Sequence, residues 1–202
     1  VANDLAPYVD HNQNGYYDPE NGDYPVIKGE AAVYIIWNDQ NNSGNTTNKF
    51  GLEVHIMVYQ IASNDEFVNQ TTFVNCRIVN RSSYDYTNFR AGFFCDFDLG
   101  GYSDDMFGTD SLRNMIYVYN GDNFDDDEAG GLGYYANPPA FGVKLLNDSL
   151  ANGIVAAGSL PFNYDDHTFA RATNGLFSDG SVPMNDQGAP TSFTFNDNPN
   201  DP

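Results

Sequence analysis

The sequence predicts an all-β fold, an antiparallel β-sandwich of jelly-roll type with long Asp/Asn/Gly-rich calcium-binding loops. Three observations carry that expectation. Helical periodicity is nearly absent along the 202 residues. Runs of β-branched and aromatic residues recur instead, separated by clusters of Gly, Asn, Asp and Pro. Acidic residues outnumber basic ones 28 to 8, for a formal net charge of -20, and they gather between the apolar runs. Clustered Asp is the side chain that hard divalent cations prefer.

Strands are expected near 31–38, 51–62, 71–80, 88–97, 114–120 and 139–146, with weaker ones around 169–177 and 191–195. Segment 52–61 (LEVHIMVYQI) is apolar on both faces and reads as a central strand, whereas 71–79 (TTFVNCRIV) alternates and reads as half exposed. The polar connection 81–87 suits an antiparallel pairing of 71–80 with 88–97. That pairing would set Cys76 opposite Cys95, on the side shared by Val74, Ile78, Phe93 and Phe97. A cross-strand disulfide and two buried free thiols both remain open. From 121 onward Gly, Asp and Pro increase, and no internal repeat is visible. The expected organisation is one domain over 1–202: a calcium-loop segment at 1–30, a sandwich core at 31–147 and a loop-rich part at 148–202. The chain reads as a fragment of a larger protein, with a linker-like ending.

Composition narrows the function. At 41% hydrophobic residues the chain can bury a core. Its acidity excludes nucleic-acid binding, because no basic patch is available to neutralise phosphates. No apolar stretch approaches the ~20 residues of a membrane helix, so direct membrane insertion is not expected. Self-repulsion at this charge destabilises a compact state unless cations offset it, which makes structural Ca2+ the expected cofactor.

Two segments carry the metal expectation. In 10–18, Asp10, Asn12, Asn14, Tyr16 and Asp18 fall at loop positions 1, 3, 5, 7 and 9, with Gly15 at 6. That is the spacing of a calcium loop: alternate side chains present oxygens, Gly allows the sharp turn and the residue-7 carbonyl faces inward. At position 12 stands Asn21 in place of a bidentate Glu, so Glu20 or Asp23 must provide the remaining carboxylate. The second segment is 96–110, where Asp96, Asp98, Asp104, Asp105 and Asp110 would converge at a strand end. The run of Asp122 and 125–128 is a weaker third candidate, since consecutive acids are commonly a solvated face.

Catalytic constellations are poorly represented. His11, His55 and His167 are scattered, no HExxH or GxSxG occurs, and His55 on an apolar strand reads as a satisfied core histidine. A carboxylate pair for glycoside hydrolysis is a lesser alternative. A carbohydrate-binding module is the main one, because Tyr16, Tyr17, Tyr24, Trp37, Tyr102, Tyr134 and Tyr135 lie near loops or strand ends where rings can stack on sugars.

Taken in order, YYDPENGDYPVIKGEAA (16–32), TTFVNCRIVNRSS (71–83), CDFDLGGYSDDMFGTD (95–110), GYY…NPPAFGV (133–143) and NGLFSDGS (174–181) resemble an N-terminal region of large secreted Bacteroidota proteins. Those proteins typically end in a C-terminal sorting domain read by the type IX secretion system. The resemblance implies export to the cell surface or the exterior, handling of the full-length protein by the secretion machinery, and contact with other surface proteins or extracellular glycans. It does not imply an activity. Asp110-Ser111-Leu112 and Asp148-Ser149-Leu150 resemble the O-glycan acceptor of exported proteins in that phylum, Ser149 being the better placed. The sequence thus points to a calcium-stabilised extracellular structural or interaction module, in an adhesion or surface-assembly role, rather than to an enzyme.

Overall fold

A computed structural model describes residues 6–39, 49–128, 131–155 and 166–195. Among the described residues the regular structure is mostly β, the paired strands are antiparallel, and the helices are short. The chain divides into two compact units, Val1–Thr87 and Asn88–Pro202.

In the first unit, a ribbon of β1 (Tyr8–Val9) and β2 (Tyr24–Pro25) closes the loop 10–23 at its base. The main sheet has the order β3 (Ala31–Asn38), β4 (Leu52–Gln60), β5 (Phe73–Asn80). Period-2 alternation sets its two faces. On one, Val33, Ile35 and Trp37 of β3 align with Val58, Ile56 and Val54 of β4, and these with Val74, Cys76 and Ile78 of β5. This apolar face is open at its outer strands: Val33 is 60% and Trp37 52% exposed. On the other face lie His55 and Glu53, both buried, and Met57. β4 is the central strand, as its doubly apolar sequence requires. The connection to β5 holds α1 (Glu66–Asn69), whose N-cap Asp65 accepts from the Phe67 amide at 3.0 Å.

In the second unit, β6 (Asp105–Asp110) and β7 (Met115–Asn120) form a hairpin, and β10 (Phe141–Lys144) pairs with the far side of β7. Phe107, Val118 and Phe141 stand side by side across the sheet, with Val118 wholly buried and Phe97 edge-on to Phe141 at 5.3 Å. The sheet continues past β6 through bridges Gly108 to Phe195 and Phe193 to Gly153. A small ribbon of β8 (Phe124–Asp125) and β9 (Tyr135–Ala136) follows the hairpin, and α2 (Asp166–Ala172) precedes the final segment.

Several expected elements differ. Segment 88–97 forms no strand; Asn88 adopts a positive φ of 56° at its start, and among the described residues β5 pairs only with β4. The expected alignment of Cys76 with Cys95 therefore does not form, and both thiols are free, Cys76 exposed and Cys95 half-buried. Burial raises the Cys95 pKa. Residues 105–110, expected to form part of an acidic cluster beyond a strand end, are themselves strand β6. Around 169–177 the chain is helical and then turns, with Phe169 packed edge-on against Phe94 at 5.8 Å.

Candidate functional site

The loop 10–23 is folded around its carboxylates. Asp10 accepts from the amides of Asn14 at 3.2 Å and Gly15 at 2.7 Å. The side-chain oxygens of Asn12 and Asn14 accept from the amides two residues on, at 3.1 and 2.7 Å. These are Asx turns that coil the loop, and Gly15 takes the left-handed φ of 80° that the sixth position demands. Asp18 gathers the side-chain amides of Asn14 at 2.8 Å, Asn21 at 3.1 Å and Asn12 at 3.3 Å. Those donors, Asn21 foremost, hold its carboxyl below the usual range. Of the two candidates for the closing carboxylate, Asp23 is folded in. It is buried and accepts from the backbone of His11 at 2.8 Å and of Asp18 at 2.9 Å. Tyr16 is exposed and donates its amide to Asn14.

The second acidic segment is arranged differently from the sequence expectation. Asp110 stands at the far end of β6 from Asp105, ~17 Å away at the usual strand rise. Its carboxylate takes the backbone amide and guanidinium of Arg113, which hold its pKa down. Asp110 therefore answers the hairpin turn and does not join the cluster. Asp96 and Asp98 are exposed on an irregular segment, so no strand aligns them.

What gathers at the Asp105 end instead is the supposed third cluster. Asp125, wholly buried, accepts from Gly101 N at 2.7 Å and Tyr134 N at 2.8 Å. Glu128 accepts from the amides of Tyr102 at 3.0 Å and Ser103 at 3.2 Å. A Cβ at Gly100 would stand 1.9 Å from Asp125 Oδ2, so the close approach requires glycine there, at a φ of 71°. Asp105 accepts from Leu99 N at 2.9 Å through Oδ2, while its buried Oδ1 has no hydrogen-bond partner among the described residues. Burial, and then Asp104, Asp125 and Asp98, push its pKa up. Opposite it in register is Asn120, also buried, whose Oδ1 likewise lacks a partner among the described residues. Asn120 was not singled out by any sequence pattern, although Asn-Gly-Asp at 120–122 directly after an apolar run is a signal that could have marked it.

Among the described residues, no group of three or more His, Cys, Asp or Glu side chains is placed to hold a metal ion by itself. Any cation site here must draw on amide and carbonyl oxygens as well.

His55 is buried and hydrogen-bonded at both ring nitrogens, Nδ1 to the Tyr34 hydroxyl at 2.9 Å and Nε2 to Glu53 at 2.8 Å. Arg81 donates to the same Glu53 oxygen at 2.8 Å. Side chains of His167 lie outside the described residues. Ser111, in the β6–β7 turn, and Ser149 are both exposed. The aromatics expected near loops are largely exposed as well, including Tyr16, Tyr102, Tyr134 and Tyr135. Comparisons with protein-family models, curated proteins and solved structures gave no match.

Proposed function

We propose that this chain is a calcium-stabilised structural or interaction module of an exported, surface-exposed or released bacterial protein. The observation that carries the reading is the loop 10–23. Its Asp10, Asn12 and Asn14 are coiled by Asx turns about Gly15, and Asp18 is surrounded by side-chain amides that can turn to present oxygen. Those amides surround the Asp18 carboxylate on the side where a cation would bind. Calcium offers the stronger attraction and accepts this mixture of carboxylate, amide and carbonyl ligands. The resemblance to secreted Bacteroidota proteins supports export by the type IX route, and the open apolar sheet face supports a layered sandwich in which that face is an inner one.

Calcium binding only the folded chain stabilises it by mass action. Chelator-stripped protein is therefore expected to melt well below the calcium-loaded form. Equal melting temperatures, with no heat on calcium titration, would sink the reading. A second reading, glycan binding, is favoured by exposed Tyr102, Tyr134 and Tyr135 around the Asp125 site. Retention on a glycan array, abolished by Tyr134→Ala, is its test.

A further inference from the structure

We propose that the open edge of strand β3 pairs antiparallel with β3 of a second copy of this chain, joining two three-stranded sheets into one of six. The inference uses none of the groups on which the calcium reading rests, so either can fail alone.

β3 is an outer strand of its sheet, and every second residue of it turns its N–H and C=O away from β4. Among the described residues no backbone hydrogen bond reaches that side over 31–37. Natural sheets blunt such an edge with a charge, a proline or a bulge. β3 has none of the three: its sequence is AAVYIIWN, and it matches β4 residue for residue over its whole length. The opposite edge, β5, carries Arg77 near mid-strand and is blunted in the usual way. An open filament joining β5 of one copy to β3 of the next is therefore disfavoured, and the pairing closes as a two-fold dimer.

Charge and register select the occupant. At a net charge of -20 the chain repels acidic surfaces, and a basic segment would find no carboxylate on β3 to meet. An uncharged strand fits, and β3 is one. The acids that flank it, Glu30 and Asp39, are tied to their own chain, accepting from Ala62 N at 2.6 Å and Gly51 N at 2.8 Å. Two-fold pairing centred on Ile35 sets Val33 against Trp37 and Tyr34 against Ile36 of the other copy, each twice. Pairs of an aromatic with a β-branched residue are among those that stabilise a ladder. The even offset also keeps the apolar row Val33, Ile35, Trp37 on one face across the junction, where a slip of one residue would turn it over. At 60%, 45% and 52% exposure, these three side chains have surface left to cover in this way.

A ladder this short buries little area, so sedimentation equilibrium on the whole chain from about 1 to 500 µM should show a reversible monomer–dimer equilibrium. Ile35→Lys sets two ammonium groups opposite each other on the two-fold axis and should weaken association at least about tenfold. Ile35→Cys, combined with Cys76→Ser and Cys95→Ser, is the gentler change. Oxidised glutathione should link it into a covalent dimer, whereas Val33→Cys in the same background should stay unlinked, its counterpart lying ~14 Å along the ladder. Packing of two sheets face to face is the competing arrangement, and it leaves the edge amides as they are. Edge pairing should instead slow hydrogen exchange at every second amide of 33–37 as concentration rises. A chain that stays monomeric, that grows beyond a dimer, or whose β3 amides exchange as fast in the dimer as in the monomer would overturn the proposal. So would an Ile35→Cys variant that does not cross-link, or a folded Ile35→Lys variant that associates as tightly as wild type.

Discussion

Tyr34, His55, Glu53 and Arg81 form a polar chain across the buried face of the first sheet, with Glu53 Oε1 accepting from both His55 and Arg81. Burying such groups is tolerable only when each is paired. Removing a terminal member should cost least: Tyr34→Phe loses one hydrogen bond, about 1 kcal/mol in a denaturant titration. Glu53→Gln keeps one acceptor oxygen but removes the charge that Arg81 faces, and should lower the melting temperature further than Tyr34→Phe does. The Arg81 hydrogen bond, and then that of His55, hold the Glu53 pKa below its ordinary value. A carboxylate depressed in the folded state contributes stability that is complete above the unfolded value of about 4.3 and disappears as pH falls through the folded one. Melting temperature should therefore drop on acidification below about pH 4.5, and the drop should be shallower in Glu53→Gln.

At the scale of elements, loop 10–23 depends on Asp23, which ties the backbone of His11 to that of Asp18. Asp23→Ala leaves both amides without their acceptor and should lower the melting temperature and calcium affinity together. Asp23→Asn keeps one acceptor oxygen and should fall between. Strands β3, β4, β5, β7 and β10 were legible because each alternates or runs apolar over its whole length, and pairing then needs only a neighbour. β6 was not, because it begins and ends with Asp, and acids at both ends of a short run read as loop. Segment 88–97 misled in the opposite direction: its aromatics suit a strand, but without a partner edge they pack as rings, Phe97 on Phe141 and Phe94 on Phe169. The coiling of Asp10, Asn12 and Asn14 about Gly15 follows the sequence spacing closely, since it is a local matter of side chain to backbone. The second acidic region could not be read that way. Its key contact joins Gly101 to Asp125 across the hairpin, and only the folded sheet brings these two together.

For the whole molecule, the decisive question is what lies over the apolar face of β3, β4 and β5. Trp37, the one tryptophan of the chain, stands on it. In a sandwich its emission should be blue-shifted and shielded from acrylamide, and should move red on unfolding. Red, fully quenchable emission from the folded chain would argue against an inner face and for a surface offered to another molecule. Cys76 occupies the middle row of the same face, level with Ile35 and Ile56. Because Cys95 is half-buried and Cys76 exposed, the two thiols differ in access to an alkylating reagent, and mass spectrometry can count them separately. The labelling rate at Cys76 thus becomes a clock for the covering of this face, running fast while it is bare and stopping when a second layer settles.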